Sequence, residues 1–95
     1  MKKFDKLFRR LKEMATSANI TCRDFTHVLE ELGFELTDAS GGHKVATHPK
    51  IPLGPEDAAN YNCGHDQGTH VKRNYIKTFL KIVVEHEEKL REHLK

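Results

Sequence analysis

The chain has 95 residues, of which 32% are charged and 37% are hydrophobic, and its formal net charge is +2. This length supports one domain with one modest core, and the composition is that of a folded chain, not a disordered one. No apolar run approaches the roughly 18–20 residues that cross a bilayer. No apolar segment follows the basic start, so we expect neither a membrane span nor a signal peptide.

Cysteine usage bears on the compartment. The two cysteines, Cys22 and Cys63, are too few for a disulfide framework and fit a reducing cytoplasm. We assign Cys22 no special role beyond its place in a predicted helix. A net charge of +2 is too small to indicate a nucleic-acid partner by itself, so the local distribution of charge has to carry that argument.

Residues 3–17 place apolar side chains at helical spacing with basic side chains around them. The pattern predicts an amphipathic helix with a basic outer face. That face is either a solvated surface or an electrostatic attachment to RNA or to an acidic partner. Its cations are Lys3, Lys6, Arg9, Arg10 and Lys12.

A second helix is marked at both ends. Thr21 is a natural N-cap, with Asp24 three residues later, and Gly33 suits the left-handed position after the last turn. The buried face comprises Phe25, Val28, Leu29 and Leu32.

Three short strands are expected next. Residues 34–37 alternate apolar and polar, the glycines of residues 38–42 supply a hairpin turn, and residues 43–47 return. On the returning strand His43, Val45 and Thr47 share one face, and the intervening residues share the other. The sequence leaves open which face meets the helices. Residues 50–60 read as a loop and residues 61–64 as a short third strand.

The last predicted helix runs from about Val71 to near the C-terminus, with Thr69 as its cap. Its first half is basic and its second half is mainly acidic. Arg73, Lys77 and Lys81 are four residues apart and form one stripe, which either contacts phosphates or is a plain solvated face.

This order of elements predicts a two-layer α+β domain, in which helices cover a three-stranded antiparallel sheet. We divide the single domain, residues 1–95, into an N-terminal helical extension (1–19), a core (20–84) and the charged end of the last helix (85–95).

The chain resembles the HicA-type toxin family of bacterial toxin–antitoxin systems. The resemblance covers roughly residues 21–84 and rests on four motifs in order: Leu32-Gly33-Phe34, Gly41-Gly42-His43-Lys44, Asn62-Cys63-Gly64-His65, and residues 71–76. Two features depart from the family pattern: Gly42 stands where the family has Ser, and the connection over residues 50–60 is longer.

The resemblance implies a double-stranded-RNA-binding-domain-like fold with an extra N-terminal helix, and an mRNA endonuclease that a HicB-like antitoxin neutralises. Carried onto this chain, the catalytic histidine is His43. Histidine can accept and donate protons near neutral pH, and RNA supplies its own 2′-OH nucleophile, so no cofactor or metal is expected. His65 is the candidate for the second proton transfer. The expected RNA contacts are Gly42, Lys44, Lys72, Arg73, Lys77 and Lys81.

Three alternatives stay open. A zinc site could draw on His43, His48, Cys63, His65 and His70, although no Cys-x-x-Cys pair is present. A non-catalytic RNA-binding or antitoxin-binding module would use the same fold and basic stripe. An adaptor for an acidic partner would depend on residues 1–18 instead.

Overall fold

The computed structural model describes residues 2–95 and confirms the α+β class, with three strands in one antiparallel sheet. No helix in this range is long and apolar enough to cross a membrane. The elements are α1 Lys3–Thr16, α2 Cys22–Glu31, β1 Glu35–Asp38, β2 His43–Thr47, β3 Asn60–Asn62, α3 Arg73–Glu85 and α4 Glu87–His93.

The sheet has the order β1-β2-β3, with β2 in the centre. Lys44 pairs with Tyr61, and His43 pairs with Asn62. Ala46 is buried on one face of β2, whereas Val45 is 42% exposed on the other. The face that carries Ala46 therefore meets the helices, and the face that carries His43 is open, which answers the question that the sequence left open.

The ends of α2 confirm the capping prediction. The Thr21 side chain accepts a hydrogen bond from the backbone N–H of Asp24 at 3.2 Å, and Gly33 takes a φ of 98° after the helix. A capping bond of this kind typically contributes about 1 kcal/mol. These two signals fix where α2 begins and where the chain turns into β1.

Aromatic rings from three elements meet in the centre of the core. Phe25 of α2, Tyr61 of β3 and Phe79 of α3 pack edge to face with centroid distances of 4.9 to 5.8 Å. The Tyr61 hydroxyl reaches the Thr26 hydroxyl at 2.7 Å. Burial raises the pKa of Tyr61 to about 12. This cluster holds β3 against the helix layer.

The N-terminal helix α1 is an integral part of this core, since its apolar stripe is buried and packs against α3. Arg91 of α4 donates to Asp5 of α1 at 2.7 Å and lies over the Phe4 ring at 4.5 Å. The hydrogen bond from Arg91 holds the pKa of Asp5 below its usual value. The buried residues of α1 are Phe4, Leu7, Leu11, Met14 and Ala15.

The prediction of one uninterrupted last helix was wrong. The first helical residue is Arg73, the N-cap is Lys72 instead of Thr69, and the helix breaks at His86, where φ is −116° and ψ is 26°. The apolar spacing continues through the break, since Leu90 is fully buried, so the hydrophobic period gave no sign of it. The break lets α4 turn back towards α1, where Arg91 meets Asp5.

The expectation that Cys22 has no special role was also wrong. Cys22 and Cys63 form a disulfide between the start of α2 and the end of β3, across 41 residues of sequence. Both residues are buried. The bond follows from the pleat, because Cys63, two residues after the inward Tyr61, turns to the same inner side as the start of α2.

Candidate active site

His43 is the first residue of β2, and its ring lies between two asparagine side chains of β3. Nε2 of His43 is 3.0 Å from Oδ1 of Asn60. Nδ1 of His43 is 3.2 Å from Nδ2 of Asn62. His43 pairs directly with Asn62 in the sheet, and Asn60 lies two residues away on the same face. The partly buried ring is therefore fixed by hydrogen bonds at both nitrogens.

The backbone of Gly64 sets the direction of this hydrogen-bond chain. Its N–H donates to Oδ1 of Asn62 at 2.7 Å, and a backbone N–H can only donate. The Asn62 amide therefore turns its Nδ2 towards His43, so Nδ1 of His43 accepts and Nε2–H donates to Asn60. The neutral ring is held in the Nε2–H tautomer.

The hairpin before His43 confirms the predicted Gly-Gly turn. Gly41 and Gly42 take φ values of 72° and 79°, and the Gly42 carbonyl accepts the N–H of Cys63 at 2.9 Å. A β-carbon on Gly42 would overlap the backbone of Gly64. A serine cannot occupy this position without moving the end of β3, which explains the glycine found here.

The N-terminal end of α3 lies beside His43. The Tyr75 ring packs edge-on to the His43 ring with a centroid distance of 6.4 Å. No side chain of the described residues caps this end of α3, so its first N–H groups add partial positive charge. Lys72 and Arg73 are exposed there and make no ion pair within residues 2–95. The combination gives the His43 end of the molecule a cationic edge.

Of the remaining predicted RNA contacts, Lys77 and Lys81 lie along α3 and Lys44 lies on the sheet. Lys77 is exposed and has no ion-pair partner in the described range, while Lys81 lies 3.9 Å from Glu85, in a cavity that Glu56 and Asp57 also line. Nearby acids therefore offset the charge of Lys81. The cations of the stripe whose charge is not offset by an acid therefore lie in its N-terminal half.

Lys44 is not beside His43. Its side chain is 16% exposed on the helix-covered face of the sheet, where Nζ pairs with Oδ1 of Asp38 at 2.6 Å. Successive residues of a strand point to opposite faces, so Lys44 and His43 cannot act on one phosphate from this arrangement. The structure removes Lys44 from the candidate site.

His65 is exposed in the turn after Gly64. Gly42 and His43 lie at the same end of the sheet as this turn, since Gly42 meets Gly64. No hydrogen bond joins His65 to His43 anywhere in the described chain. His65 stays a candidate by position alone.

The zinc alternative loses two of its candidate ligands, Cys63 and His48. Cys63 is bonded to Cys22, and His48 is a buried histidine that donates from Nε2 to the Leu32 carbonyl at 3.0 Å and accepts the Lys50 N–H at Nδ1. Across residues 2–95, no three His, Cys, Asp or Glu side chains are grouped so that they could hold a metal ion.

Sequence reasoning missed Asn60, Asn62 and Tyr75 as members of the site. The segment Asn60-Tyr61-Asn62 carries a signal that could have found the first two, because an inward aromatic residue in a strand turns both neighbours outward. No signal in the sequence pointed to Tyr75, because it lies on α3 and its partner His43 lies on β2.

Comparisons of the chain with protein-family models, with curated proteins and with solved structures found no match. The assignment of a function therefore rests on the geometry around His43 and on the resemblance of the motifs.

Proposed function

We propose that the protein is a toxin-type endoribonuclease that cleaves mRNA, with His43 as general acid or base, and that a HicB-like antitoxin neutralises it. The observation that carries the proposal is the position of His43. Its ring is partly exposed on the open face of a sheet, beside the uncapped, cationic start of α3. A double-stranded-RNA-binding-domain-like fold is part of the same proposal.

The chemistry requires little from the protein. RNA provides the 2′-OH nucleophile, so the enzyme has only to move protons and stabilise charge on the phosphorane, and neither a metal nor a cofactor is needed. General acid–base help of this kind is typically worth about 10²–10⁴-fold in rate. To reach Nε2 of His43, the substrate takes the place of Oδ1 of Asn60, which is the partner on that nitrogen.

Phosphate binding falls to the exposed cations at the start of α3. Lys72, Arg73 and Lys77 are free to pair with the RNA backbone, and Lys81 contributes less because Glu85 lies near it. Gly42 could contribute only backbone atoms. Such contacts weaken as the salt concentration rises, since binding releases counterions from the nucleic acid.

The cytoplasm is the proposed location, because mRNA is the proposed substrate. Cytoplasmic thiol pools keep most cysteines reduced. The proposal therefore requires that the fold persists when the bond between Cys22 and Cys63 is open.

A second candidate function is a non-catalytic RNA-binding or antitoxin-binding module. The specific observation in its favour is that both ring nitrogens of His43 are bonded inside the protein, as in a structural histidine. The two functions differ in what they require of His43, because a binding module needs only the surface around it.

The experiment that separates them compares His43→Ala with His27→Ala. His27 is a matched control, since its side chain is 71% exposed on α2 and pairs, within residues 2–95, only with Glu31. If the protein is an endoribonuclease, His43→Ala abolishes both growth arrest and RNA cleavage but leaves RNA binding intact. His27→Ala leaves growth arrest, RNA cleavage and RNA binding intact. Full growth arrest by folded His43→Ala would favour the binding module.

A further inference from the structure

Asn62 lies where a side chain can decide which nitrogen of His43 carries the proton. Its Oδ1 accepts the Gly64 N–H at 2.7 Å, and its Nδ2 is 3.2 Å from Nδ1 of His43. The first contact fixes the orientation of the amide because a backbone N–H has no acceptor form. The second then places a donor against Nδ1.

The protonation of Nε2 follows from that of Nδ1. With a donor at Nδ1, the lone pair of the neutral ring points at Asn62, and the proton is on Nε2, facing Oδ1 of Asn60 at 3.0 Å. A ring in this form donates a hydrogen bond from Nε2 and cannot accept a proton there. Nε2 is the nitrogen that substrate would reach by displacing Asn60.

We propose that Asn62 is a positioning residue that sets the tautomer of His43 and so holds the resting ring in a form that is not a base at Nε2. The inference rests on the proposed ribonuclease for its functional meaning, while the tautomer can be observed without RNA. Asn62 touches the histidine and not the substrate.

The base form requires a defined rearrangement. Nε2 releases its proton to water, Nδ1 takes a proton from water, and the Asn62 amide rotates so that Oδ1 accepts from Nδ1–H. Nε2 of His43 can then take the proton of the 2′-OH as its oxygen attacks phosphorus. The rotation leaves the Gly64 N–H facing an amide donor, and one unmade hydrogen bond of this kind slows the reaction by roughly 5- to 100-fold.

Asn62→Asp removes this restraint with almost no change of shape. One carboxylate oxygen accepts the Gly64 N–H and the other accepts Nδ1–H of His43, so the proton moves to Nδ1 and the lone pair to Nε2. The Asn60 amide can rotate to donate to that lone pair, since its side chain makes no other hydrogen bond in residues 2–95. An orienting carboxylate behind a histidine is the arrangement of hydrolytic triads.

The matched control is Asn60→Asp. It adds the same charge on the same face of the same strand, but opposite Nε2, where a carboxylate accepts the existing N–H and competes with phosphate. We expect this variant to keep the Nε2–H tautomer and to cleave RNA no faster than the unmodified protein.

The experiment records ¹⁵N NMR spectra of the His43 ring in the full chain, at about pH 8, where free histidine is neutral. The expected spectra show Nε2–H in the unmodified protein and in Asn60→Asp, and Nδ1–H in Asn62→Asp. Cleavage of a purified transcript by Asn62→Asp is expected to be roughly 5- to 100-fold faster than by the unmodified protein. Should Asn62→Asp fail to fold, Asn62→Ala replaces it and is expected to lose the exclusive Nε2–H signal.

An Nδ1–H tautomer in the unmodified protein would overturn the proposal, as would an unchanged tautomer in folded Asn62→Asp. A swapped tautomer without a faster rate would overturn the claim that Asn62 restrains catalysis. Absence of cleavage by all three proteins, with the tautomers as expected, would overturn the ribonuclease alone and would support the assignment of the tautomer to Asn62.

Discussion

The backbone carbonyl of Gly64 occupies the space that a β-carbon on Gly42 would need. Gly42 also holds a φ of 79°, a conformation that L side chains rarely adopt. Beside this contact the Gly42 carbonyl accepts the Cys63 N–H at 2.9 Å, and His43 pairs with Asn62 in the register of β2 and β3.

Gly42→Ser is expected to lower the free energy of unfolding by about 2 kcal/mol or more, because the positive φ alone costs on the order of 1–3 kcal/mol and the overlap with Gly64 adds to it. Gly41→Ser is the matched control. Its φ is 72°, but nothing lies within 4 Å of the β-carbon position, so only the φ cost applies. Urea unfolding of both variants gives the comparison, and equal losses would show that the Gly64 contact is unimportant.

The disulfide is expected to contribute strongly to stability. Closing a loop across 41 residues restricts the unfolded chain and stabilises the fold by about 4 kcal/mol in the chain-entropy account. The Cys22→Ala/Cys63→Ala variant is expected to stay folded, with a melting temperature lowered by roughly 15–30 °C. A circular dichroism melt measures this, and a melting temperature unchanged by the two substitutions would contradict it.

The buried histidine predicts a stability that depends on pH. Burial lowers the pKa of His48 below its usual value, opposed by its bond to the Leu32 carbonyl and by Glu35 and reinforced by the His93 ring at 4.8 Å. The unfolded chain therefore binds the proton more readily than the folded protein does. The contribution of neutral, buried His48 to the free energy of unfolding is fully present above about pH 6.5, and it is lost as the pH falls below that value.

Urea unfolding at about pH 7.5 and about pH 5.5 tests this dependence. The folded protein is expected to lose stability at the lower pH. His48→Gln, which has no titrating group, is expected to be less stable at both pH values but to lose less on acidification. The same loss in both proteins would assign the dependence to other groups.

RNA binding is expected to depend on the start of α3. Lys77→Glu should weaken binding and reduce the slope of log K against log salt by about 0.7–0.9, the value for one lost phosphate contact, with any further loss coming from the added repulsion. Lys50→Glu makes the same charge change just past the opposite end of β2, away from His43. Fluorescence anisotropy across a salt series compares them, and equal effects would remove α3 from the interface.

Local signals in the sequence predicted much of this fold. The Thr21 cap and Gly33 delimited α2, the glycine pair located the hairpin, and alternation placed His43 and Lys44 on opposite faces. Each of these features depends on residues close together in the chain, so it could be predicted from the sequence.

The missing parts depend on contacts between distant residues. The helix break at His86 leaves the apolar period intact, and beyond it Arg91 of α4 meets Asp5 of α1. The bond between Cys22 and Cys63 and the contact of Tyr75 with His43 join separate elements. The sequence predicted His43 as the centre of the site, but not the asparagines that hold its ring, because their meeting depends on the register of β2 and β3.

The most direct measurement of the central claim is the rate at which purified protein cleaves a defined transcript, compared with His43→Ala. We predict cleavage that leaves 2′,3′-cyclic phosphate ends, no cleavage where the nucleotide at the scissile position is 2′-deoxy, and a loss of at least about 100-fold in rate with His43→Ala. Undiminished cleavage by folded His43→Ala would contradict the account.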